Sequence, residues 1–192
     1  MSVRFDDPNL VSYAGLVPVM RLAETVGLDE LVVDRVRLGV STGAHPDRKI
    51  TSIVAGMIAG ADCIDDLDLL RHGGMAGVFT AIPVPSTLGS FLRSFCWGDT
   101  RALESVARRS LARLTAVAPL LPGADQIAYV DLDSLLRRTF DTTKQGAGFG
   151  HTKVGGYSVR LRGLSPLVAT ISHADRGTGD RGHQVARRFG SG

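Results

Sequence analysis

The spacing of apolar residues changes once along this chain, and the change limits the folds that the chain can adopt. Over residues 15–119 the apolar residues mostly recur at intervals of three and four, which is the period of amphipathic helices. Gly27 separates the first two predicted helices, and Pro46 can start the third. We predict helices near 16–26, 28–37, 48–60, 64–71, 86–96 and 99–118, with Ser86-Thr87 and Asp99 as N-caps of the last two.

The segment Pro119-Leu-Leu-Pro122-Gly123 ends the helical pattern, because proline cannot continue a helix and Pro-Gly favours a turn. Beyond it the apolar residues follow the runs and alternations of strands. The order of helices first and strands second predicts an α+β fold whose second domain opens with a β-meander. The predicted strands lie near 126–132, 136–140, 157–161 and 167–172.

The pattern divides the chain into a helical region at 1–122, the start of a strand-containing domain at 123–172, and a tail at 173–192. The tail holds five glycines and six charged residues, without a usable apolar period. This composition is typical of disorder. The abrupt change after residue 172 also fits a frame change or an early stop in a once longer gene, which a missing segment encoded in another frame just downstream would support.

The charge of the chain is unevenly distributed. Residues 1–125 carry 12 basic and 14 acidic side chains, whereas 126–192 carry 10 and 5, within a net charge of +3. Cys63 and Cys96 lie far apart, so neither a zinc site nor a disulfide framework is indicated. The N-terminus lacks a secretory signal, and the longest uncharged run, 73–92, has the glycines and prolines of a turn-rich connection rather than a membrane span. These features predict a cytoplasmic protein.

Two carboxylates end the first predicted strand, in Tyr129-Val-Asp131-Leu-Asp133. Strand alternation directs both to the same face. Two like charges on one face repel each other unless a cation lies between them, and oxygen-only ligation suits Mg²⁺ or Mn²⁺. The alternative is that both acids cap the strand and face water, as most surface carboxylates do.

A glycine-rich segment follows, Lys144-Gln-Gly-Ala-Gly-Phe-Gly150-His151-Thr-Lys153. A turn with this composition can approach a phosphate backbone closely through its amides and through Lys144, His151 and Lys153. The alternative is an ordinary mobile hairpin loop with solvated lysines. The segment lacks the GxxxxGK[ST] spacing of a nucleotide P-loop.

Several separate blocks resemble transposases of the IS1380 family of bacterial insertion sequences, which are DDE transposases. The block from Tyr129 to Ser172 resembles the start of their catalytic domain. Upstream, Pro85-Ser-Thr-Leu-Gly-Ser-Phe-Leu-Arg93 resembles their STLgxFLR region, and Ile64-Asp-Asp-Leu-Asp-Leu-Leu-Arg71 resembles the segment before it. The resemblance covers roughly residues 8–172. It implies an incomplete ribonuclease-H-like α/β catalytic core and metal-dependent DNA cleavage and strand transfer.

In that family the first catalytic acid ends the first strand, in a pattern like D-x-D-[ST]-[ST]. The resemblance therefore implies Asp133 as the first catalytic acid and metal ligand, because it directly precedes Ser134, with Asp131 as the alternative. The sequence departs from the pattern at Leu135, where the family often has threonine, but a residue beside the acid need not ligate metal.

Family members continue well beyond this length and supply a second aspartate and a glutamate there. Asp175 and Asp180 follow the last predicted strand too soon to be assigned as the second acid. With one acid of three, we expect the chain to hold Mg²⁺ or Mn²⁺ only weakly and to cleave no DNA by itself.

The resemblance also implies that the helical region contacts DNA ends, the terminal inverted repeats of the insertion sequence, or a second copy of the chain in a homo-oligomer. From the residues, the candidates for phosphate contacts are Arg93, Arg101, Arg108, Arg109 and Arg113. The alternative is a solvated helix face, because acidic residues outnumber basic ones in this region. A bacterial, nucleoid-associated location follows from the same resemblance.

Two other functions stay open from the sequence. One is a non-catalytic DNA-binding or subunit-binding remnant of such a transposase. The other is an unrelated helical interaction module whose aspartates are structural. Binding to the terminal repeats would distinguish the helical module from the transposase and from its non-catalytic remnant.

Overall fold

A computed structural model describes residues 9–39, 44–79, 81–120, 122, 127–140 and 142–172, together with the backbone of 185–189. The chain forms two compact units, Met1–Ser110 and Leu111–Gly192. The division falls inside the last helix, so the C-terminal unit begins with the last turns of that helix and continues into the strands. The mixture of helices and small sheets agrees with the predicted α+β class.

Helices occupy all six stretches in which the sequence predicts them. They are α1 Leu16–Thr25, α2 Leu28–Arg35, α3 Pro46–Ile58, α4 Pro85–Arg93 and α5 Trp97–Val117, with 3₁₀ segments at Asp65–Arg71 and Gly73–Gly77. The stretch predicted as a helix at 64–71 is therefore helical but of the tighter 3₁₀ kind, which is common in short connecting pieces. The turn at Gly73–Gly77 lies in a segment that the sequence analysis treats as a connection.

The helix boundaries follow local backbone chemistry. Gly27 has a φ of 67°, and this left-handed conformation lets α1 end and α2 begin with only Val26 and Gly27 between them. Pro46 starts α3, where its missing N–H costs no hydrogen bond. The prediction of Ser86-Thr87 as the cap of α4 is wrong: that helix begins one residue earlier at Pro85, and Val84 precedes it in extended backbone.

Two apolar clusters hold the helical unit together. The first cluster joins α1, α3, α4 and both 3₁₀ segments, and its buried members are Leu16, Met20, Ala55, Leu67, Leu70, Met75 and Leu88. The second cluster joins α2 to α5 through Leu31, Val32, Val36 and Val106. Each helix therefore buries one stripe of its surface, as the spacing of its apolar residues predicts.

One lysine is buried within the helical unit. Lys49 on α3 keeps only 8% of its surface exposed, and its ammonium lies 5.1 Å from the centre of the Phe91 ring on α4. An ammonium over an aromatic face gains electrostatic attraction that offsets part of the loss of hydration. This contact links the third and fourth helices.

The described residues of the C-terminal unit form six strands in two antiparallel sheets. The strands are β1 Tyr129–Ser134, β2 Arg137–Arg138, β3 Gly148–Val154, β4 Tyr157–Leu164, β5 Leu167–Ser172 and β6 Val185–Phe189. Their order is β1-β5-β6 in one sheet and β2-β4-β3 in the other. A tight turn at Gly155 and Gly156, both with positive φ, joins β3 to β4.

The two sheets share one unbroken register. Ser134 lies opposite Leu167, and Arg137 lies opposite Leu164, so the two residues between the strands on one side match the two on the other. Leu135 N–H donates to Pro166 O at 2.9 Å within this gap. Because no residue is inserted, residues 129–139 form one continuous antiparallel partner of 162–172.

The predicted β-meander is confirmed in one pairing and wrong in the others. The predicted strands at 136–140 and 157–161 are neighbours, because β2 pairs with β4. The hairpin of β3 and β4 adds a pairing that the sequence does not predict. The predicted strand at 126–132 does not pair with the next one along the chain, because β1 pairs with β5. The reason is the continuous register, in which the long strand formed by β4 and β5 lies between β3 on one side and β1 with β2 on the other.

Two further predictions change in this unit. The glycine-rich segment predicted as a loop contributes strand β3, because residues 149–154 alternate in a way that pairs fully with β4. In the tail predicted to be disordered, the backbone of Val185–Phe189 pairs with β5. The N–H and C=O groups at an open strand edge can form hydrogen bonds with another extended segment of the chain. The rest of the tail lies outside the described residues.

Strands of the C-terminal unit leave many apolar side chains in contact with solvent. Leu132 is 63% exposed and Phe140 is 81% exposed, whereas Ala169 is buried. Among the described residues, no layer covers these side chains. No helix in the described part of the chain has the length and apolar character needed to cross a membrane.

The close contact between β2 and β4 predicts a specific sensitivity. A Cβ at Gly163 would lie 2.5 Å from the carbonyl oxygen of Arg137, so Gly163→Ala must displace β2 at a cost of about 1–3 kcal/mol. Thr139 N–H, which donates to Arg162 O at 3.1 Å, should then exchange its hydrogen about tenfold faster or more.

Gly148 provides the matched control, because it lies opposite Gly163 on β3 and a Cβ there meets no atom within 4 Å. Gly148→Ala should leave the exchange of Thr139 nearly unchanged. Equal exchange rates in the two variants, measured by NMR, would contradict the close approach of β2 to β4.

Candidate metal and nucleic-acid site

Asp131 and Asp133 both lie on β1, as the sequence predicts. Asp131 faces Thr170 across the sheet and Asp133 faces Val168. One residue separates the two acids, so strand alternation places both side chains on one face. Both are exposed to solvent.

The carboxylate of Asp133 is oriented by the backbone that follows it. Ser134 N–H donates to Asp133 Oδ1 at 2.7 Å. This bond uses one carboxylate oxygen and leaves Oδ2 available to another partner. The pair of acids therefore presents oxygen donors on an open face, and a pair of anionic oxygen donors suits a hard divalent cation such as Mg²⁺.

The described residues supply no complete metal site. None of them forms a group of three or more histidine, cysteine, aspartate or glutamate side chains placed to share an ion. Mg²⁺ accepts one or two carboxylates when water and phosphate oxygens complete its shell. Asp131 and Asp133 fit that smaller role, while Asp175 and Asp180 lie outside the described residues.

The sheet β2-β4-β3 gathers basic side chains on one face. His151 and Lys153 on β3 lie opposite Arg160 and Ser158 on β4, so strand alternation puts them on the same side. Arg162 lies opposite Phe149 in the next row. Arg137 on β2 also belongs to this side, because it pairs with Leu164, two residues beyond Arg162. We call Arg137, His151, Lys153, Arg160 and Arg162 the basic face.

Two arginines of the basic face, Arg160 and Arg162, make contacts that orient their side chains. The Arg160 guanidinium lies 5.0 Å from the centre of the Phe149 ring, which is itself 65% exposed. Arg162 Nη2 donates to Ala147 O at 3.3 Å. The arginines are thus positioned by the sheet and its flanking turn, and Phe149 adds an aromatic surface among the cations.

The structure separates the three predicted phosphate-binding residues of the glycine-rich segment. His151 and Lys153 lie on the basic face, whereas Lys144 precedes β3 in a turn closed by a bond from Ala147 N–H to Lys144 O at 3.2 Å. The sequence analysis missed Arg137, Arg160 and Arg162. The signal that could have found them is the spacing of two between Arg160 and Arg162, matched to the spacing of two between His151 and Lys153.

The arginines predicted to contact DNA from the helical region are all exposed. Arg93 ends α4, and its Nη2 donates to Ser90 Oγ at 3.3 Å. Arg101 and Arg108 are two turns apart on α5 and lie on the side away from the buried Val106. Arg109 lies on a different side of the helix, about 100° around the axis from Arg108. These positions form a solvated helix face, which matches the alternative as well as it matches phosphate contacts.

Three carboxyl groups with lowered pKa values lie in the helical unit, away from β1. Backbone N–H bonds from Cys63 and Asp62 lower the pKa of Asp66, and a hydrogen bond from Arg71 lowers the pKa of Asp68. The pKa of Asp99 is lowered by the Cys96 thiol and by the Cys96 N–H, each 2.9 Å from Oδ2. Asp66 and Asp99 accept from donors at the start of a helical segment, and Asp68 accepts from the side chain of Arg71 at the end of one, so all three acids have structural roles.

A half-open cavity of about 560 Å³ lies in the helical unit between α1, α3 and the segment around Phe79. Its rim carries both signs of charge, including Arg21, Glu24, Asp47 and Arg48. Thr51 Oγ1 donates to Asp29 Oδ1 at one side of it. This balance of charge favours neither an anionic nor a cationic ligand.

Comparison with known proteins does not identify a family. No protein-family model, no curated protein and no solved structure matches this chain.

The carboxylate pair predicts weak metal binding on β1. Mn²⁺ at about millimolar concentration should broaden the amide NMR signals of residues 130–134, because two carboxylates give an incomplete shell. Asp133→Asn and Asp131→Asn should each reduce the broadening, with the larger loss for Asp133. Asp47→Asn, in the first turn of α3, is the control and should leave these signals unchanged. Broadening that survives both aspartate substitutions would exclude a site on β1.

The lowered pKa of Asp99 predicts a pH-dependent contribution to the start of α5. An aspartate whose folded pKa is lowered stabilises the fold fully above its ordinary pKa of about 4, and the stabilisation disappears as the pH falls through the lower folded value. At pH 7, Asp99→Asn should lower the Tm by about 2 °C, and the difference from wild type should vanish at low pH.

Glu104→Gln removes the same charge from the middle of the same helix. It should leave the Tm within experimental error of wild type at pH 7, as judged by circular dichroism. A constant Tm difference for Asp99→Asn from pH 7 down to pH 2 would show that its charge does not stabilise the helix start.

Proposed function

We propose that the chain is part of a DDE transposase of the IS1380 type, which binds the ends of an insertion sequence and carries the first acid of a metal-dependent DNA cleavage and strand-transfer site. The proposal rests on the sequence blocks that resemble this family. The observation that supports it most directly is the position of Asp131 and Asp133, side by side on one exposed face of the first strand after the helices.

Asp133 has the role of the first catalytic acid in this proposal, and Asp131 is the alternative. Ser134 N–H holds one oxygen of Asp133 and leaves the other free to ligate a cation. When bound there, Mg²⁺ or Mn²⁺ supplies a Lewis acid that stabilises charge on phosphate oxygens. The carboxylates themselves orient that ion on the open face of β1, which a DNA strand can reach.

Cleavage requires more acids than the described residues provide. A DDE site uses three, and the described part of the chain brings only the two of β1 together. We therefore propose that this chain does not cleave DNA by itself and that Asp133 works only with acids supplied in addition. The ribonuclease-H-like core also belongs to the proposal.

A non-catalytic DNA-binding or subunit-binding remnant is the second candidate. The basic face favours it, because phosphate contacts need no third acid. In this function the chain would occupy the terminal inverted repeats, alone or as a homo-oligomer, in the bacterial nucleoid. An unrelated helical interaction module is favoured by no contact described here.

The test uses labelled DNA that carries the terminal inverted repeats flanking the coding sequence, and scrambled DNA of equal length. Fluorescence anisotropy should show at least tenfold tighter binding to the repeats. With Mn²⁺ alone, we expect no nicking of either DNA.

A second arm supplies the rest of a transposase catalytic domain in trans. Strand transfer should then appear with the wild-type chain and be lost with Asp133→Asn, while both chains bind the repeats equally. Binding without preference for the repeats would overturn the transposase proposal. Restoration that is insensitive to both Asp131→Asn and Asp133→Asn would leave only the non-catalytic candidate.

A further inference from the structure

The sheet β2-β4-β3 carries most of its charged side chains on one face. The basic face carries Arg137, His151, Lys153, Arg160 and Arg162, and none of the described residues that share this face is acidic. The opposite face alternates with it and carries apolar residues, among them Val154, Tyr157, Val159 and Leu161. A cluster of one sign of charge on one face of a sheet attracts a polyanion.

The positions on the basic face are fixed by backbone pairing. Residues two apart on a strand are about 6.8 Å apart, and neighbouring strands are about 4.8 Å apart. Arg137 and Lys153 lie on the two outer strands, three rows apart in the register. The cations therefore extend diagonally over about 22 Å of sheet, a length that matches a run of phosphates better than a single small anion.

The register relates the basic face to the carboxylates of β1. Because no residue is inserted between β1 and β2, strand alternation puts Asp131, Asp133 and Arg137 on the same side of the ladder. Arg137 lies four positions after Asp133, which corresponds to about 13 Å of strand. A nucleic-acid backbone bound along the basic face would therefore extend towards Asp131 and Asp133.

We propose that the basic face binds the phosphate backbone of DNA and delivers it to Asp133. This inference rests on the proposed function, which it deepens by naming the surface that holds the DNA. Arg137, His151 and Lys153 contact phosphates from exposed positions. Phe149, with Arg160 against its ring, offers an aromatic surface next to the bound strand.

Charge complementarity selects DNA over a protein or a lipid surface as the occupant. The cations of the basic face lie in rows along the strands, next to the carboxylates of β1. An anionic membrane would cover the whole sheet, and these carboxylates would repel it. A linear polyanion can follow the basic rows and meet the carboxylates only at one phosphate, where a cation neutralises them.

The experiment compares two double variants of the full chain with equal charge. Arg137→Gln with Lys153→Gln removes two cations from the basic face. Arg138→Gln with Arg37→Gln removes two exposed cations that lie off it, because Arg138 packs on the Phe140 ring of the opposite face and Arg37 follows α2 in the helical unit. Binding of a labelled duplex is measured by anisotropy at several salt concentrations.

The basic-face variant should raise the Kd at least tenfold at about 0.1 M salt, and the slope of log K against log salt should fall by about 2, since each phosphate contact contributes about 0.9. The control variant should change the Kd by less than about twofold. Hydrogen exchange at Thr139 N–H shows whether each variant keeps the register of β2.

Equal losses in the two variants would overturn the inference, because net charge alone would then explain them. Unchanged DNA binding in the basic-face variant would also overturn it. So would binding to vesicles with anionic lipids that is tighter than binding to DNA and is lost in the same variant.

The outcome is independent of the transposase proposal. Duplex binding that depends on the basic face but shows no preference for terminal repeats supports the face and rejects the transposase. If the basic-face variant keeps both its affinity and its preference for the repeats, the transposase proposal is supported and the basic face is rejected. The DNA contacts would then be assigned to other residues, such as the arginines of α5.

Discussion

The C-terminal unit depends on one constraint, the uninterrupted antiparallel register between residues 129–139 and 162–172. Asp133 opposite Val168 and Arg137 opposite Leu164 belong to the same ladder, and the bond from Leu135 N–H to Pro166 O carries the pairing across the gap between the sheets. A slip by one residue would turn every side chain to the other face. The carboxylate pair and the basic face share a side only because this register is kept.

The helical unit is built on a different interaction, the interlocking of helices around two apolar clusters. Gly56 on α3 shows how close this packing is, because a Cβ there would lie 1.7 Å from Leu67 Cδ2 on the first 3₁₀ segment. Charged groups at the helical starts have local roles: Asp66 and Asp99 accept backbone N–H bonds that the helices leave unused. These two carboxylates therefore have a structural role, while those of β1 face solvent.

Sequence reasoning located the helices well because their apolar spacing is regular and each helix buries its own stripe. It located the carboxylates of β1 for the same kind of reason, since alternation over three residues is a local property. It failed for the glycine-rich segment, where Gly148 and Gly150 suggested a turn although all of Gly148–Val154 pairs along β4. It also failed for strand order, because pairing between β1 and β5 joins residues far apart in the chain.

The sequence by itself therefore determined the two-part α+β organisation, the helix positions and the shared face of Asp131 and Asp133, since each follows from spacing within a few residues. Tertiary structure decided which strands are neighbours, and with them the basic face: Arg137, Arg160 and His151 come from three strands and meet only through hydrogen-bonded registers. The physical reason is that local geometry fixes the direction of a side chain along its own strand. The backbone hydrogen bonds between strands fix which side chains of other strands lie next to it.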